Sequence, residues 1–185
     1  MTRSLLLLGC IAVLAQHAQA NPEQQLKLQT LNDQALHLHA QGQYTQAAEH
    51  YEAMLPLIDQ QFGEDSTEKS QILASLADTQ LARKQYDQAE QHYRRALAVQ
   101  ADKDAGLLKA DILNGLASSL YLQRRFSEAE PFYLEANTLL QSLPQAPADR
   151  QLLILDNLGA LYESLHDRQE ASHYRRLARE LRRQQ

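Results

Sequence analysis

The residues of this sequence that could do chemistry are histidines, carboxylates and serines, and their spacing follows no catalytic pattern. His37 and His39 are two residues apart, so on a helix their side chains point about 200° apart and do not chelate one metal ion. Glu128 and Glu130 stand at i and i+2, so on a helix their carboxylates face apart. Neither a glycine-rich phosphate loop nor a nucleophile elbow occurs in the sequence. We therefore expect a protein that is not an enzyme, with no catalytic residue, metal site or cofactor.

The composition favours helices and a single domain. The chain has 185 residues with only 6 glycines and 5 prolines, and alanine, leucine, glutamine, glutamate and arginine, all good helix formers, are abundant. The formal net charge is −5 at pH 7. A mildly acidic chain gives no electrostatic reason to expect nucleic acid or an anionic membrane as a partner.

The first twenty residues have the pattern of a secretory signal peptide. Arg3 provides the positive start, an apolar run of 11 residues follows at 5–15, and Ala18-Gln19-Ala20 has the small residues that signal peptidase requires. The run is too short to span a membrane, which takes about 20 apolar residues. We predict cleavage between Ala20 and Asn21, and hence a periplasmic or secreted protein.

Cys10 raises the alternative of a lipid anchor, because Leu8-Gly9-Cys10 loosely resembles a bacterial lipobox. Only four apolar residues precede the glycine, however, and the apolar run continues past the cysteine. We therefore favour a discarded signal over lipidation at Cys10. The mature chain then has no cysteine and is held together by packing without disulfides.

A motif of about 42 residues organises the rest of the chain. Each copy contains a leucine-rich segment followed by a segment with an aromatic residue and an alanine, and this alanine falls at positions 47, 89, 129 and 171. Leu73, Leu76 and Ala77 have the i, i+3, i+4 spacing of one helical face. Each copy is therefore predicted to form two helices joined by a turn. Small residues allow these helices to approach closely: Ala35, Ala77, Ala117 and Gly159 in the first helices, and Ala47, Ala89, Ala129 and Ala171 in the second.

These features predict an all-α fold, an α-solenoid of about four helix-turn-helix repeats with a C-terminal capping helix. The signal peptide covers 1–20 and the repeat domain 21–185, with repeats at about 25–62, 67–102, 107–142 and 149–183. In the fourth copy Arg168 replaces an aromatic residue and Arg175 a tyrosine, which suits the polar outer face of a cap. Gly42 is expected to end a first helix, and Asp65-Ser66-Thr67-Glu68 resembles a capping box.

The repeats resemble tetratricopeptide repeats, in particular the 42-residue kind found in kinesin light chains. Phe62-Gly63-Glu64-Asp65 is similar to the leucine-glycine-x-aspartate turn of that subtype, and the segment 129–136 is similar to its second-helix signature. The resemblance covers nearly all of 25–185. It implies a fold for binding proteins or peptides, and it does not identify the partner.

In that family the first helices line a concave groove, which implies a set of peptide-binding residues in this chain. Asparagines can hold a peptide backbone and apolar residues its side chains, and the charges of the set are acidic, which favours a partner with some basic character. The set is Asn32, Leu36, His39, Asp78, Leu81, Asn114, Ser118, Tyr121, Asp156 and Glu163, with Ala74 and Ala160 between them.

Two functions fit these predictions. The favoured one is an exported scaffold or adaptor that binds a peptide or protein in the groove. The alternative is a structural envelope protein that self-associates as a homo-oligomer, which an uncovered apolar face at Leu26, Leu28 and Leu31 would favour. An envelope hydrolase is the third and weakest reading, because no residue pattern supports it.

Overall fold

The computed structural model describes residues 21–100 and 106–184, so the predicted signal peptide, Ala20 included, lies outside the described residues. These two stretches form eight α-helices and no strand. The helices are α1 Pro22–Ala40, α2 Tyr44–Phe62, α3 Thr67–Ala82, α4 Tyr86–Val99, α5 Leu107–Leu122, α6 Phe126–Ser142, α7 Ala148–Ser164 and α8 Arg168–Arg182. The prediction of an all-α fold built from helix-turn-helix pairs is confirmed.

The chain divides into two compact units, which we call unit 1 (Met1–Lys103) and unit 2 (Asp104–Gln185). In unit 1, α1 packs on α2, α2 on α3, and α3 on α4. In unit 2, α5 packs on α6, α6 on α7, and α7 on α8. The assignment of residues 21–185 to one domain remains a prediction.

The turn inside each pair has the same backbone geometry in all four pairs. The residue two positions past the first helix has a positive φ angle, and it is Gly42 (76°), Lys84 (61°), Arg124 (63°) or His166 (62°). In each turn this residue donates its N–H to the carbonyl three residues earlier, and the next residue donates to the carbonyl five residues earlier. This is the Schellman arrangement, which satisfies the last carbonyls of a helix. Of these four residues only Gly42 is a glycine, the residue that adopts the left-handed conformation at the lowest cost.

Side-chain caps start three of the helices. Asn21 Oδ1 accepts from Glu23 N at 3.1 Å, Ser66 Oγ from Lys69 N at 3.2 Å, and Asp167 Oδ1 from Gln169 N and Glu170 N at 3.1 Å each. Ser66 is thus the N-cap of α3, so the predicted capping box is one residue out of register. The residue three positions after this cap is a lysine, and the reciprocal acidic half of the box is absent.

The small residues of the repeat lie where helices meet. All eight are buried, and each alanine of the second helices is at most 3% exposed. Gly159 shows how tight the fourth pair is, because a Cβ at this position would lie 3.2 Å from Cγ of Arg175. The arginine that replaces the tyrosine of the other pairs thus occupies the space above a glycine that replaces an alanine.

The apolar face expected at the start of the chain is mostly covered. Leu28 is fully buried in a cluster with Tyr51, Met54 and Ile58, and Leu31 packs against that cluster. Only Leu26 is exposed, at 65%. The expectation of an uncovered Leu26, Leu28 and Leu31 face is therefore wrong, because α2 and α3 cover one side of α1. Within the described residues, none of the helices combines the length and apolarity that a bilayer crossing requires.

Candidate functional site

The predicted groove residues of unit 1 lie on α1 and α3, and two of them, Ala74 and Asn32, are not at the surface. Asn32 is 1% exposed, and neither atom of its amide has a hydrogen-bond partner among the described residues. The predictions of Asn32 and Ala74 as groove residues are wrong, because both side chains are buried inside unit 1. Leu36, His39, Asp78 and Leu81 are each partly exposed.

The other two polar residues of this set in unit 1, His39 and Asp78, form hydrogen bonds within the unit. His39 Nδ1 lies 3.2 Å from Thr79 Oγ1, and the Thr79 hydroxyl donates to the Ser75 carbonyl, so the histidine nitrogen is the donor. Burial lowers the pKa of His39 below its ordinary value, because the loss of hydration disfavours the charged ring. Asp78 accepts a hydrogen bond from the Tyr93 hydroxyl. These contacts hold α1 to α3 and α3 to α4.

In unit 2, a row of polar contacts joins α5 to α7. The Asn157 amide donates to Asn114 Oδ1 at 2.9 Å, and the Tyr121 hydroxyl lies 3.1 Å from Ser164 Oγ. At the start of the row, Arg150 Nε lies 2.9 Å from both carboxylate oxygens of Asp111. We call Asp111, Asn114, Tyr121, Arg150, Asn157 and Ser164 the polar row. Apart from this row, Ser118 accepts from the Tyr133 hydroxyl at 3.0 Å.

The acidic groove residues of α7 are neutralised by the last helix. Asp156 forms an ion pair with Arg182, and Glu163 forms one with Arg175. Both carboxylates are about half exposed. Their charges are thus already matched inside unit 2, which weakens the sequence-based argument for a basic partner.

The sequence reasoning missed four members of the polar row, namely Asp111, Arg150, Asn157 and Ser164. When the repeats are aligned on their alanines, Asp156 and Glu163 are equivalent to Asn114 and Tyr121. The Asn114–Asn157 and Tyr121–Ser164 contacts instead join residues 43 positions apart, one more than the repeat, and Arg150 is 39 positions from Asp111. A search for polar side chains at i, i+3 and i+10 on α5 would have found Asp111, Asn114 and Tyr121 together.

The tyrosines of the second helices are structural. Tyr51 and Tyr93 are fully buried and Tyr133 is 2% exposed. Tyr93 and Tyr133 each reach back to the first helix of their own pair, at Asp78 and Ser118. Their hydroxyls therefore fix how the two helices of a pair cross.

The chemistry that this site offers is recognition by hydrogen bonds. Among the described residues, no group of three or more histidine, cysteine, aspartate or glutamate side chains is arranged to hold a metal ion. The bond between Asn114 and Asn157 uses one donor and one acceptor, while each amide has two donors and an acceptor oxygen. This bond leaves two N–H donors and one oxygen lone pair on Asn114, and one N–H donor and two lone pairs on Asn157, and both side chains are partly exposed.

Comparisons with known proteins agree with this architecture. Two family models, both described as tetratricopeptide repeat, match residues 26–102 and 75–147, and together they cover more than half of the chain. The chain is similar to the crystal structure of BtubC (BKLC) from P. vanneervenii, with a TM-score of 0.79 and 23% identity. The match covers 90% of this chain and 66% of that chain, so this chain spans just under two thirds of its length. At this identity the likeness shows the fold alone. A search of curated proteins gave no match.

Proposed function

The chain belongs to the tetratricopeptide repeat family, whose members are in general non-enzymatic scaffolds for protein–protein interaction, and we propose that it is an exported adaptor that binds an extended peptide on the polar row of unit 2. The 42-residue step agrees with the resemblance to the kinesin-light-chain kind of repeat. The exported location rests on the sequence of residues 1–20.

The observation that supports this proposal most directly is the Asn114–Asn157 amide pair. A peptide unit presents an N–H and a C=O, and an amide side chain can receive both at once. The pair is partly exposed, and its orientation is fixed by its own hydrogen bond, so little ordering entropy is lost on binding. Tyr121, fixed by Ser164, supplies an apolar ring for a side chain of the peptide.

The acidic residues contribute less to recognition than their number indicates. Because Asp156 and Glu163 are paired with arginines of α8, we propose a peptide selected mainly by backbone hydrogen bonds and by its fit to Tyr121. Any preference for positive charge in the partner would then be secondary.

The test is a selection of peptides on the purified chain, followed by binding measurements with Asn114→Ala/Tyr121→Ala. The double variant should bind selected peptides at least about tenfold more weakly, since a hydrogen bond to a ligand contributes about 1 kcal/mol and tenfold corresponds to about 1.4 kcal/mol. Gln141→Ala, on the exposed side of α6, is the matched control and should bind as the wild type does. Equal binding by a folded double variant would refute the proposed site.

A further inference from the structure

The last helix carries a one-sided arrangement of arginines that the proposed peptide site does not use. At 100° per residue, all six arginines at this end of the chain fall within a sector of about 120°. Ala171 and Ala178, which are buried, lie outside that sector. We call these six residues the arginine face: Arg168, Arg175, Arg176, Arg179, Arg182 and Arg183.

Half of the arginine face has no counterion among the residues that the structure describes. Arg175 and Arg182 pair with the carboxylates of α7, and Arg176 lies 3.9 Å from Glu180. The remaining three are exposed and form no ion pair within the described residues; they are Arg168, Arg179 and Arg183.

This arrangement is unfavourable for the isolated helix. Arg179 has arginines at i−4, i−3, i+3 and i+4, and like charges at these spacings destabilise a helix. Arg168 stands at the start of α8, where the helix dipole disfavours a cation, and the equivalent position in the other pairs is aromatic. The dipole favours only the arginines of the last turn. An anionic partner would relieve the repulsion along the whole face.

The opposite charge is concentrated at the other end of the same sequence. Residues 28–68 contain seven acidic residues and no lysine or arginine. Asp59 pairs with Lys69, but Glu49 and Glu52 on α2 and Glu64 after it are exposed and form no ion pair within the described residues. Glu49 and Glu52 stand at i and i+3 on α2 and are therefore neighbours on one helix face, which we call the acidic surface.

We propose that the arginine face of one copy docks on the acidic surface of a second copy, so that the chains associate head to tail. The two surfaces are complementary in charge, and arginine pairs with carboxylates in a fixed bidentate geometry. Because the two surfaces differ, the contact is heterologous and each added copy leaves one surface of each kind free. Association should therefore increase with the concentration of the chain.

Other anionic partners fit these observations less well. Membrane insertion needs a free apolar face on α8, and its apolar side, with Ala171 and Ala178, is buried against α7. A nucleic-acid backbone would approach a chain whose net charge is −5 and whose α2 is acidic. The second copy brings the required carboxylates at equal concentration.

The test uses the full chain, expressed from residue 1. Its average mass in solution is measured by light scattering over a range of protein concentrations and salt concentrations. At about 0.01 M salt the average mass should rise with concentration, and at about 1 M salt it should return to one chain, because the Debye length falls from roughly 30 Å to roughly 3 Å. Arg179→Glu/Arg183→Glu and Glu49→Arg/Glu52→Arg should each remain monomeric at low salt.

Mixing the two charge-reversed variants provides the decisive control. Each reversed surface is complementary only to the other variant, so the equimolar mixture should regain the concentration-dependent mass that both lack alone. Association that survives either reversal, a mixture that stays monomeric, or a wild type that stays monomeric at low salt would each overturn the proposal. Peptide binding at Asn114 and Tyr121 should be unchanged in the arginine variant, so this test can fail while the proposed function holds.

Discussion

The buried alanines of the second helices leave no room for a larger side chain. Ala89 is fully buried where α4 meets α3, whereas Ala98, further along the same helix, is exposed. We predict that Ala89→Leu lowers the free energy of unfolding by about 1–3 kcal/mol through overpacking. Ala98→Leu is the control and should change it by no more than about 0.5 kcal/mol. Urea titration of both variants measures the difference, and equal stability would contradict the packing role of this position.

A single carboxylate should make the stability of unit 2 depend on pH. Burial raises the pKa of Asp111 to about 6, because the loss of hydration outweighs the attraction of the Arg150 guanidinium. The folded protein thus holds the Asp111 proton more tightly than the unfolded chain, in which the pKa is 3.8.

We predict that the stability of the wild type relative to Asp111→Asn decreases as the pH rises from about 4 to about 6, by roughly 1.4 kcal/mol per unit of pKa difference. Urea titrations of both proteins across this window measure the change. A difference that grows with pH would show that the Arg150 charge dominates, and a constant difference would show that burial and the Arg150 charge cancel; either would contradict the prediction.

At the scale of the elements, the turns within pairs carry backbone strain that one substitution would relieve. Arg124 has a φ of 63° in a Schellman turn, a conformation that costs residues with a Cβ about 1–2 kcal/mol. We predict that Arg124→Gly raises the free energy of unfolding by about 0.5–1 kcal/mol, after allowing for the greater freedom of glycine in the unfolded chain. Gln123→Gly, at a φ of −81°, should lower it instead. Equal effects of the two would exclude relief of strain.

The helices were predictable as elements, and their partners were not. A step of about 42 residues and the i, i+3, i+4 leucines predict the helix pairs, since a short repeat must bury one face against its neighbours. The cap of α3 was misplaced by one residue because Asp65 and Ser66 are both good capping residues. Contacts between pairs, such as Asn114 with Asn157, depend on how neighbouring helices cross, which the repeat length does not encode.

At the scale of the whole molecule, the predicted cleavage point fixes where the exported chain should start. Asn21 caps α1 through its side chain, so the first helix of the described residues starts directly after the predicted cleavage point. We predict that expression in a bacterium with a secretion system yields a periplasmic or secreted chain starting at Asn21, seen as an intact mass that lacks residues 1–20. Ala18→Arg should block cleavage, because signal peptidase requires a small residue there. A mature chain that keeps these residues, or a lipid on Cys10, would refute the predicted processing.

The sequence alone determined the class of the molecule. Its helix formers, repeat step and small residues at helix crossings all follow from local periodicity, which can be read along one chain. The sequence also shows that residues 28–68 are acidic and the last helix is rich in arginine, because formal charges are counted from residue types alone.

Only the tertiary structure decided which of the predicted site residues are exposed and free of internal partners, and so could contact a ligand. It buried Asn32 and Leu28, paired Asp156 and Glu163 with arginines of α8, and bonded Asp78 to Tyr93. Burial and pairing depend on which helices pack together and at what angle, and these are set by side chains far apart in the sequence. A repeat pattern therefore places a residue on a face of a helix, and only the packing of the neighbouring helices determines whether that face meets solvent.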